Sequence, residues 1–351
     1  MGLKPCLWLG KRVIVTGYSG FKGSWLTALL SDIGDEVVGI SLPTETPKSL
    51  YITARINELL SREYLLDIRD KAAIERAIRD TNPDYVFHLA EQAYVRRSFK
   101  DPIGTIATNV IGTGYVLIAA LAQKNLLGIT FSTTEKVYEN LSAQKRFRES
   151  EKFGGQDPYS ASKAASEILI TSIASTQNPN KIPVTTVRAG NVIGGGDWGE
   201  DRLIPNIVNA LLLKKPLFIR NPNATRPWQH VLHCLFGYLL MAQLHFGKSA
   251  NAPKAVNFGP SDSLTVIELV ELFTDAFGKK VVHEFISSAI PESEWLALDS
   301  SLANKELKWK PSLSQSSTVN QTAAWYSKFA DGGDARELIQ TEISRFKLKK
   351  C

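Results

Sequence analysis

The chain has 351 residues, 44% of them hydrophobic and 22% charged, with a formal net charge of +6. That length allows one large domain or two modest ones, and the balance is that of an ordinary globular protein. The positive charge is mild and scattered, its one dense run is the tail RFKLKK, and no basic helix carries interleaved aromatics, so nucleic acid is not expected as a partner.

From the N-terminus, the apolar patch LWL is far shorter than a signal-peptide core, and the chain then enters the strand RVIVT. The runs EVVGI, EYLLD, DYVFHL, GITFS and PVTTVRA follow. Between them lies helical periodicity, in FKGSWLTALLSDI, KAAIERAIRD and TNVIGTGYVLIAALAQK. Strands apolar on both faces need helices over both, so residues 12–190 predict an α/β fold with a doubly wound, parallel, Rossmann-like sheet. No apolar run approaches the ~18 residues that span a bilayer, so a membrane is not expected either.

After Gly190 the character changes. NVIGGGDW is rich in glycine and RNPNATRPW in proline and asparagine. Shorter helices near 201–213, 231–246 and 264–277 and a lone strand at AVNF suggest a smaller α+β region capping the open end of the sheet. The expected division is 1–190 and 191–351, interleaved, with 231–260 returning to the first unit. Cys6, Cys234 and Cys351 lie far apart without CxxC spacing. This predicts neither a disulfide framework nor a zinc site and fits a reducing, cytoplasmic setting; no metal is expected.

The first strand runs into TGYSGFKG, with glycines at 17, 20 and 23 around Phe21 and Lys22. A tight strand-to-helix turn lets backbone amides approach a pyrophosphate at the helix N-terminus, and the position after a buried strand favours dinucleotide binding over a plain turn. Asp67, ending the third strand, could accept a hydrogen bond from an adenine amino group or cap the following helix. The second strand ends at Ser41, with neither a ribose-binding acid nor an adjacent arginine, which leaves NAD and NADP both open at this point.

Two segments carry the chemistry. In YSASK, Tyr159 and Lys163 stand four apart on one helix face. A phenol ionises near pH ~10, and a cation beside it favours the ionised form, which can remove a hydroxyl proton. In STTEKVYEN, Thr134, Glu135 and Lys136 put a hydroxyl, a carboxyl and an ammonium directly after a hydrophobic strand. A solvated loop or an acid/base pair would both read this way.

The segments VTGYSGFKGSWL, LDIRD, VRRSF, TNVIGT, TTEKVYEN, DPYSASK, RAGNVIGGGDW, DRLIP, RNP and RPWQHV cover most of residues 12–260. Through them the chain resembles the extended short-chain dehydrogenases/reductases, the NAD-dependent epimerase/dehydratase family, and within it the CDP-glucose 4,6-dehydratases. The resemblance implies NAD as cofactor and a CDP-hexose as small-molecule substrate. Tyr159, with Lys163 and Thr134, would deprotonate the sugar 4-hydroxyl. Lys136 would take the C5 proton, and Glu135 would protonate the departing 6-hydroxyl; base and acid side by side suit an elimination across adjacent carbons. It further implies cofactor contacts from Ile68, Leu89, Ala90, Gln92, Asn109, Tyr159 and Lys163 beside the glycines and Asp67. For the nucleotide sugar it implies Arg96, Asn191, Arg202, Leu203, Arg220, Arg226 and His230; the arginine fork suits a diphosphate. The helices near 102–124 and 158–177 imply a homodimer or homotetramer built on a four-helix bundle. His88 and Trp228 read as core residues.

Two departures stand out. The family has Asp where this chain has Glu135, and HLAEQAYV brings Glu91 and Tyr94 into a stretch that usually reads Ala-Gln-Pro-Leu after its first alanine. They keep two other readings in view: a nucleotide-sugar epimerase or oxidoreductase that uses Tyr159 and Lys163 alone, and a cofactor-loaded subunit without turnover.

Overall fold

The computed structural model describes residues 2–140, 145–247, 252–287 and 294–346; Cys351 and most of the RFKLKK tail lie outside them. Seven strands form one parallel sheet: β1 (Arg12–Thr16), β2 (Glu36–Ser41), β3 (Arg62–Leu65), β4 (Tyr85–His88), β5 (Gly128–Thr134), β6 (Val184–Ala189) and β7 (Ala255–Phe258). Their order is β7-β6-β5-β4-β1-β2-β3. The strand order reverses between β1 and β4, and an open α/β sheet offers its binding crevice at the carboxyl ends of strands beside such a switch point. Gly17 follows β1 there, and Leu89 follows β4. The segment AVNF is not a lone strand of a second region: as β7 it extends the main sheet, with Val256 opposite Val187.

Helices cover both faces, as the doubly apolar strands require. On one face, α1 (Phe21–Asp32) and Val231–Phe246 share a core with Val13, Val15 and Phe87; on the other, Lys71–Thr81, Pro102–Leu121 and Pro158–Thr176 share one with Ile14, Val86 and Ile129. Local signals set the helix ends. Asp70 caps Lys71–Thr81 by accepting from the Ala73 amide at 3.0 Å, and that helix stops at Asn82 in the left-handed region. Asp157 caps Pro158–Thr176, where proline at the first position costs no hydrogen bond.

Pro102–Leu121 departs from expectation. Although threonines, an asparagine and glycines interrupt its apolar run, it carries no charge, and its mean hydropathy of 1.5 over 20 residues makes it long and apolar enough to cross a membrane. Half of it is buried against neighbouring helices. Ile103 is 73% exposed on this helix and Ile168 57% exposed on Pro158–Thr176. Cys234 is free and buried.

The helix Gln315–Ala330 underlies the glycine-rich loop after β6. A Cβ on Gly195 would lie 2.0 Å from the Trp325 ring, so only glycine fits there. Next to it, the Tyr326 hydroxyl donates to the Asp197 carbonyl at 2.5 Å.

Candidate active site

The turn after β1 is built for close approach. Gly17 has φ +71, and a Cβ there would come within 2.7 Å of the Ala90 amide nitrogen, so the two strand-end loops meet backbone to backbone. Helix α1 then starts at Gly20 with no side-chain cap, leaving its first amides to the cleft. The cleft is a cavity of about 510 Å³, and Gly17, Gly20, Phe21, Lys22, Gly23, Asp67, Ile68, Leu89 and Ala90 all line it. An uncapped helix N-terminus over a glycine turn fits a dinucleotide pyrophosphate.

Ser41 lies at the end of β2 and exchanges a hydrogen bond with Ser19 at 2.7 Å. Asp67 is gripped by Arg69 at 2.6 Å, and these hydrogen bonds hold its carboxyl below the usual range. It does not cap the next helix, since Asp70 does. Four expected cofactor contacts, Gln92, Asn109, Tyr159 and Lys163, are not brought to the cleft lining. Asn109 is 1% exposed and spends its amide on the Gln92 backbone and on Ser162 Oγ, at 2.8–3.1 Å. Gln92 in turn holds Thr105 and the Tyr94 amide. Both shape the loop after β4 instead.

β5 delivers Thr134 at its carboxyl end, and one turn of 3₁₀ helix carries Glu135 and Lys136. These three residues line a second cavity, of about 370 Å³, together with Tyr159, Arg96, Asn191, Arg202, Leu203, Arg220 and Arg226. Thr134 Oγ1 donates to Glu135 Oε2 at 2.8 Å and accepts from the Lys136 amide at 3.3 Å. Glu135 is 5% exposed; the strand end, not solvent, holds it. Phe21, Lys22, Glu91, Ala93, Tyr94 and Arg202 are among the residues common to both cavities, which therefore meet.

The Tyr159–Lys163 pair differs from expectation. Both sit on the buried face of Pro158–Thr176, yet Lys163 Nζ is bound by Glu91 and by the Ser132 carbonyl, the latter at 3.0 Å. The phenol of Tyr159 is pushed well above its ordinary value, first by burial and then by the charges of Glu91 and Glu135; the Thr134 hydrogen bond and Arg202 pull the other way. The sequence pattern shows the cation four residues away and hides the anion that claims it. Glu91 points at Lys163, not away from the site.

On the sugar side, Arg202 pairs with Asp197 at 3.0 Å, and Arg96 and Arg220 both approach Asp201, at 3.8 and 3.6 Å. Arg226 donates to the Thr225 and Glu294 carbonyls. Asn191 Oδ1 is buried without a partner, an acceptor left for a ligand donor. His230 is the exception: it is 1% exposed, accepts from the Leu232 amide, packs edge-on to Trp25, and is absent from the cavity wall. His88 is a satisfied core residue between Thr16 and Thr113, at 2.8 and 3.0 Å, and Trp228 is 5% exposed. Sequence reasoning missed Asp197 and Asp201, the counter-ions of three arginines, although both lie within five residues of Arg202 in GGGDWGEDR. It also missed the clasp in which Arg97 reaches Glu45 at 2.5 Å and Glu200 at 2.9 Å across the cofactor cleft. Among the described residues no cluster could hold a metal ion.

Residues 13–259 match the NAD dependent epimerase/dehydratase family. The CDP-glucose 4,6-dehydratase of Salmonella typhimurium is 37% identical over 348 residues, 97% of each chain. A probable dTDP-glucose 4,6-dehydratase of Sinorhizobium fredii is 29% identical, over 90% of this chain and 92% of that one. Among solved structures, an epimerase from Methanothermobacter thermautotrophicus superposes with a TM-score of 0.80 at 22% identity, over 95% of both chains; this likeness is one of fold.

Proposed function

The chain belongs to the NAD dependent epimerase/dehydratase family, and on that premise we propose that it is an NAD-dependent nucleotide-sugar 4,6-dehydratase, a hydro-lyase that converts CDP-glucose to CDP-4-keto-6-deoxyglucose. The observation that carries the reading is a single cavity, continuous with the cofactor cleft, walled by Thr134, Glu135, Lys136 and Tyr159 together. An epimerase needs the tyrosine and not the acid–ammonium couple. Identity of 37% over the whole length to a CDP-glucose 4,6-dehydratase supports the same choice.

NAD, when bound, would supply the hydride chemistry, an acceptor for hydride from the sugar C4 and a donor of hydride to C6. Tyr159 takes the proton of the 4-hydroxyl, and Thr134 orients the phenol. The ketone so formed acidifies the C5 proton. Lys136 removes that proton, and Glu135, held by Thr134, gives its own to the 6-hydroxyl, which leaves as water. Arg96, Arg202, Arg220 and Arg226 offer guanidinium forks to the diphosphate, and Asn191 offers its orphan acceptor. The amides at the start of α1, with Gly17, Gly20 and Gly23, would hold the cofactor pyrophosphate.

The reading extends to a homodimer through Pro102–Leu121 and Pro158–Thr176, supported by their exposed isoleucines, and to cytoplasmic supply of deoxysugars for surface polysaccharide such as the lipopolysaccharide O-antigen. Incubation with CDP-glucose tests the activity. Ultraviolet absorbance of a 4-keto sugar in alkali, with loss of one water by mass, is the expected result. An unchanged mass would point to an epimerase, and saturable binding without turnover to an idle subunit; either overturns the dehydratase.

A further inference from the structure

Glu91 stands in the loop after β4 and lines both cavities. Its carboxylate binds the Lys163 ammonium directly, with the two side chains 14% and 6% exposed. Lys163 gives a second donor to the Ser132 carbonyl at 3.0 Å. Among the described residues no hydrogen bond joins this ammonium to the Tyr159 oxygen, although the two residues share a helix face. We propose that Glu91 is a positioning residue that acts through Lys163: by holding the ammonium on its own carboxylate, it withholds the cation from the Tyr159 phenol and moves proton abstraction to higher pH than an uncharged residue would set. The proposal rests on Tyr159 being the base that takes the sugar hydroxyl proton.

The electrostatics run in this direction from every side of the site. A phenolate is stabilised by a neighbouring cation and opposed by a neighbouring anion, and both effects grow where water is scarce. Glu91 works on both at once, since it adds a negative charge and neutralises a positive one. Facing the same region are Lys163 from the tyrosine's own helix, Glu135 and Lys136 from the turn after β5, Lys22 from α1, Tyr238 from Val231–Phe246, His88 from β4, and Arg202. Lys22 is committed to Ser132 Oγ at 3.1 Å and Arg202 to Asp197. His88 is kept neutral by burial, with the Lys163 charge acting the same way. Tyr238 and Tyr159 are both pushed up by burial first, with Glu91 adding to each. Of these cations Lys163 is the one that Glu91 binds directly, so it is the one whose release from Glu91 would relieve Tyr159.

The test reads the phenol itself. Holoprotein carrying ring-labelled tyrosine is titrated by NMR without sugar, with Tyr159→Phe identifying the resonance, and Glu91→Gln, Glu91→Ala and Glu91→Asp are compared with wild type. The expected result is a titration of Tyr159 at least about one pH unit lower in the glutamine and alanine variants. It should enter the range where circular dichroism still reports folded protein, while Glu91→Asp stays with wild type. One such unit corresponds to about tenfold more phenolate at any pH below the midpoint. A Tyr159 signal that titrates alike in wild type, glutamine and alanine variants overturns the proposal; should Glu91→Gln fail to fold, Glu91→Ala decides by the same titration. Because no sugar is present, inactivity of wild type on CDP-glucose would sink the dehydratase reading and leave this result standing.

Discussion

Arg188 in β6 and Glu167 in Pro158–Thr176 form a two-pronged ion pair, at 2.8 and 2.5 Å, with each side chain 2% exposed. Thr133 and Thr186 donate to the same carboxylate at 2.6 and 2.8 Å, and Arg188 also donates to the Tyr138 hydroxyl at 2.6 Å. The pair therefore joins β5, β6 and the tyrosine-bearing helix just behind the turn that presents Glu135 and Lys136. Removing one partner of a buried pair strands a charge and costs about 3–5 kcal/mol. Glu167→Ala is expected to lose that much unfolding free energy in denaturant titration, and pairing it with Arg188→Met should restore part of it. A loss within about 0.5 kcal/mol, the range of an ordinary surface change, would contradict the account.

Tyr159→Phe removes the proposed general base and keeps the ring's packing. Turnover of CDP-glucose should fall by about 10²–10⁴-fold, with far-ultraviolet circular dichroism and melting temperature unaltered. Retention of more than a tenth of the activity would count against the role.

Lys136→Met and Glu135→Asp separate the elimination into its two proton transfers. In heavy water, Lys136→Met should end the incorporation of solvent deuterium at C5. Glu135→Asp shortens an acid whose carboxyl is fixed by Thr134 at 2.8 Å; a displacement of about one ångström predicts a rate loss of up to ~100-fold. A gain in rate with aspartate would mean that the pocket is not adapted to glutamate.

Three histidines predict an acid limb of stability. Burial depresses His88, His233 and His245 from the ordinary 6.5 to about 3. Below 6.5 the unfolded chain binds protons that the folded protein refuses, so their stabilising contribution is complete above that pH. It is lost as pH falls towards 3, by about 1.4 kcal/mol per histidine per unit. Denaturant midpoints at pH 7 and pH 5 should differ accordingly, and His245→Gln should reduce the slope by about one proton. An equal slope in that variant would remove His245 from the account.

Ile103→Glu with Ile168→Glu places charge on two exposed apolar helix positions. Light scattering should then report monomer where wild type reports dimer. A wild-type monomer, or a variant that still dimerises, would redirect the search for the interface.

What the sequence disclosed is what local chemistry writes. The glycines at 17, 20 and 23, the strand-end triplet Thr134–Lys136 and the YSASK face are each set within a few residues, and the cavity walls include all of them but Lys163. Long-range charge pairing is not written that way. Lys163 meets Glu91 across 72 residues, and no spacing rule joins them. Misplacing His230 has a similar cause: RPWQHV suggested a wall of the pocket, but as the residue before Val231–Phe246 it turns inward, its ring set edge-on to Trp25. AVNF looked isolated because a parallel partner can lie far away in sequence, and β6 is that partner.

The stretch that carries the family match stops at residue 259, whereas the loop bearing Asp197, and through it Arg202, leans on Trp325 and Tyr326. A fragment trimmed to the matched portion would lose the footing of that loop, whose Asp197 and Arg202 line both cavities. Shortening this protein from its carboxyl end should therefore weaken cofactor retention and substrate affinity together, since the helices removed share one core with the sheet.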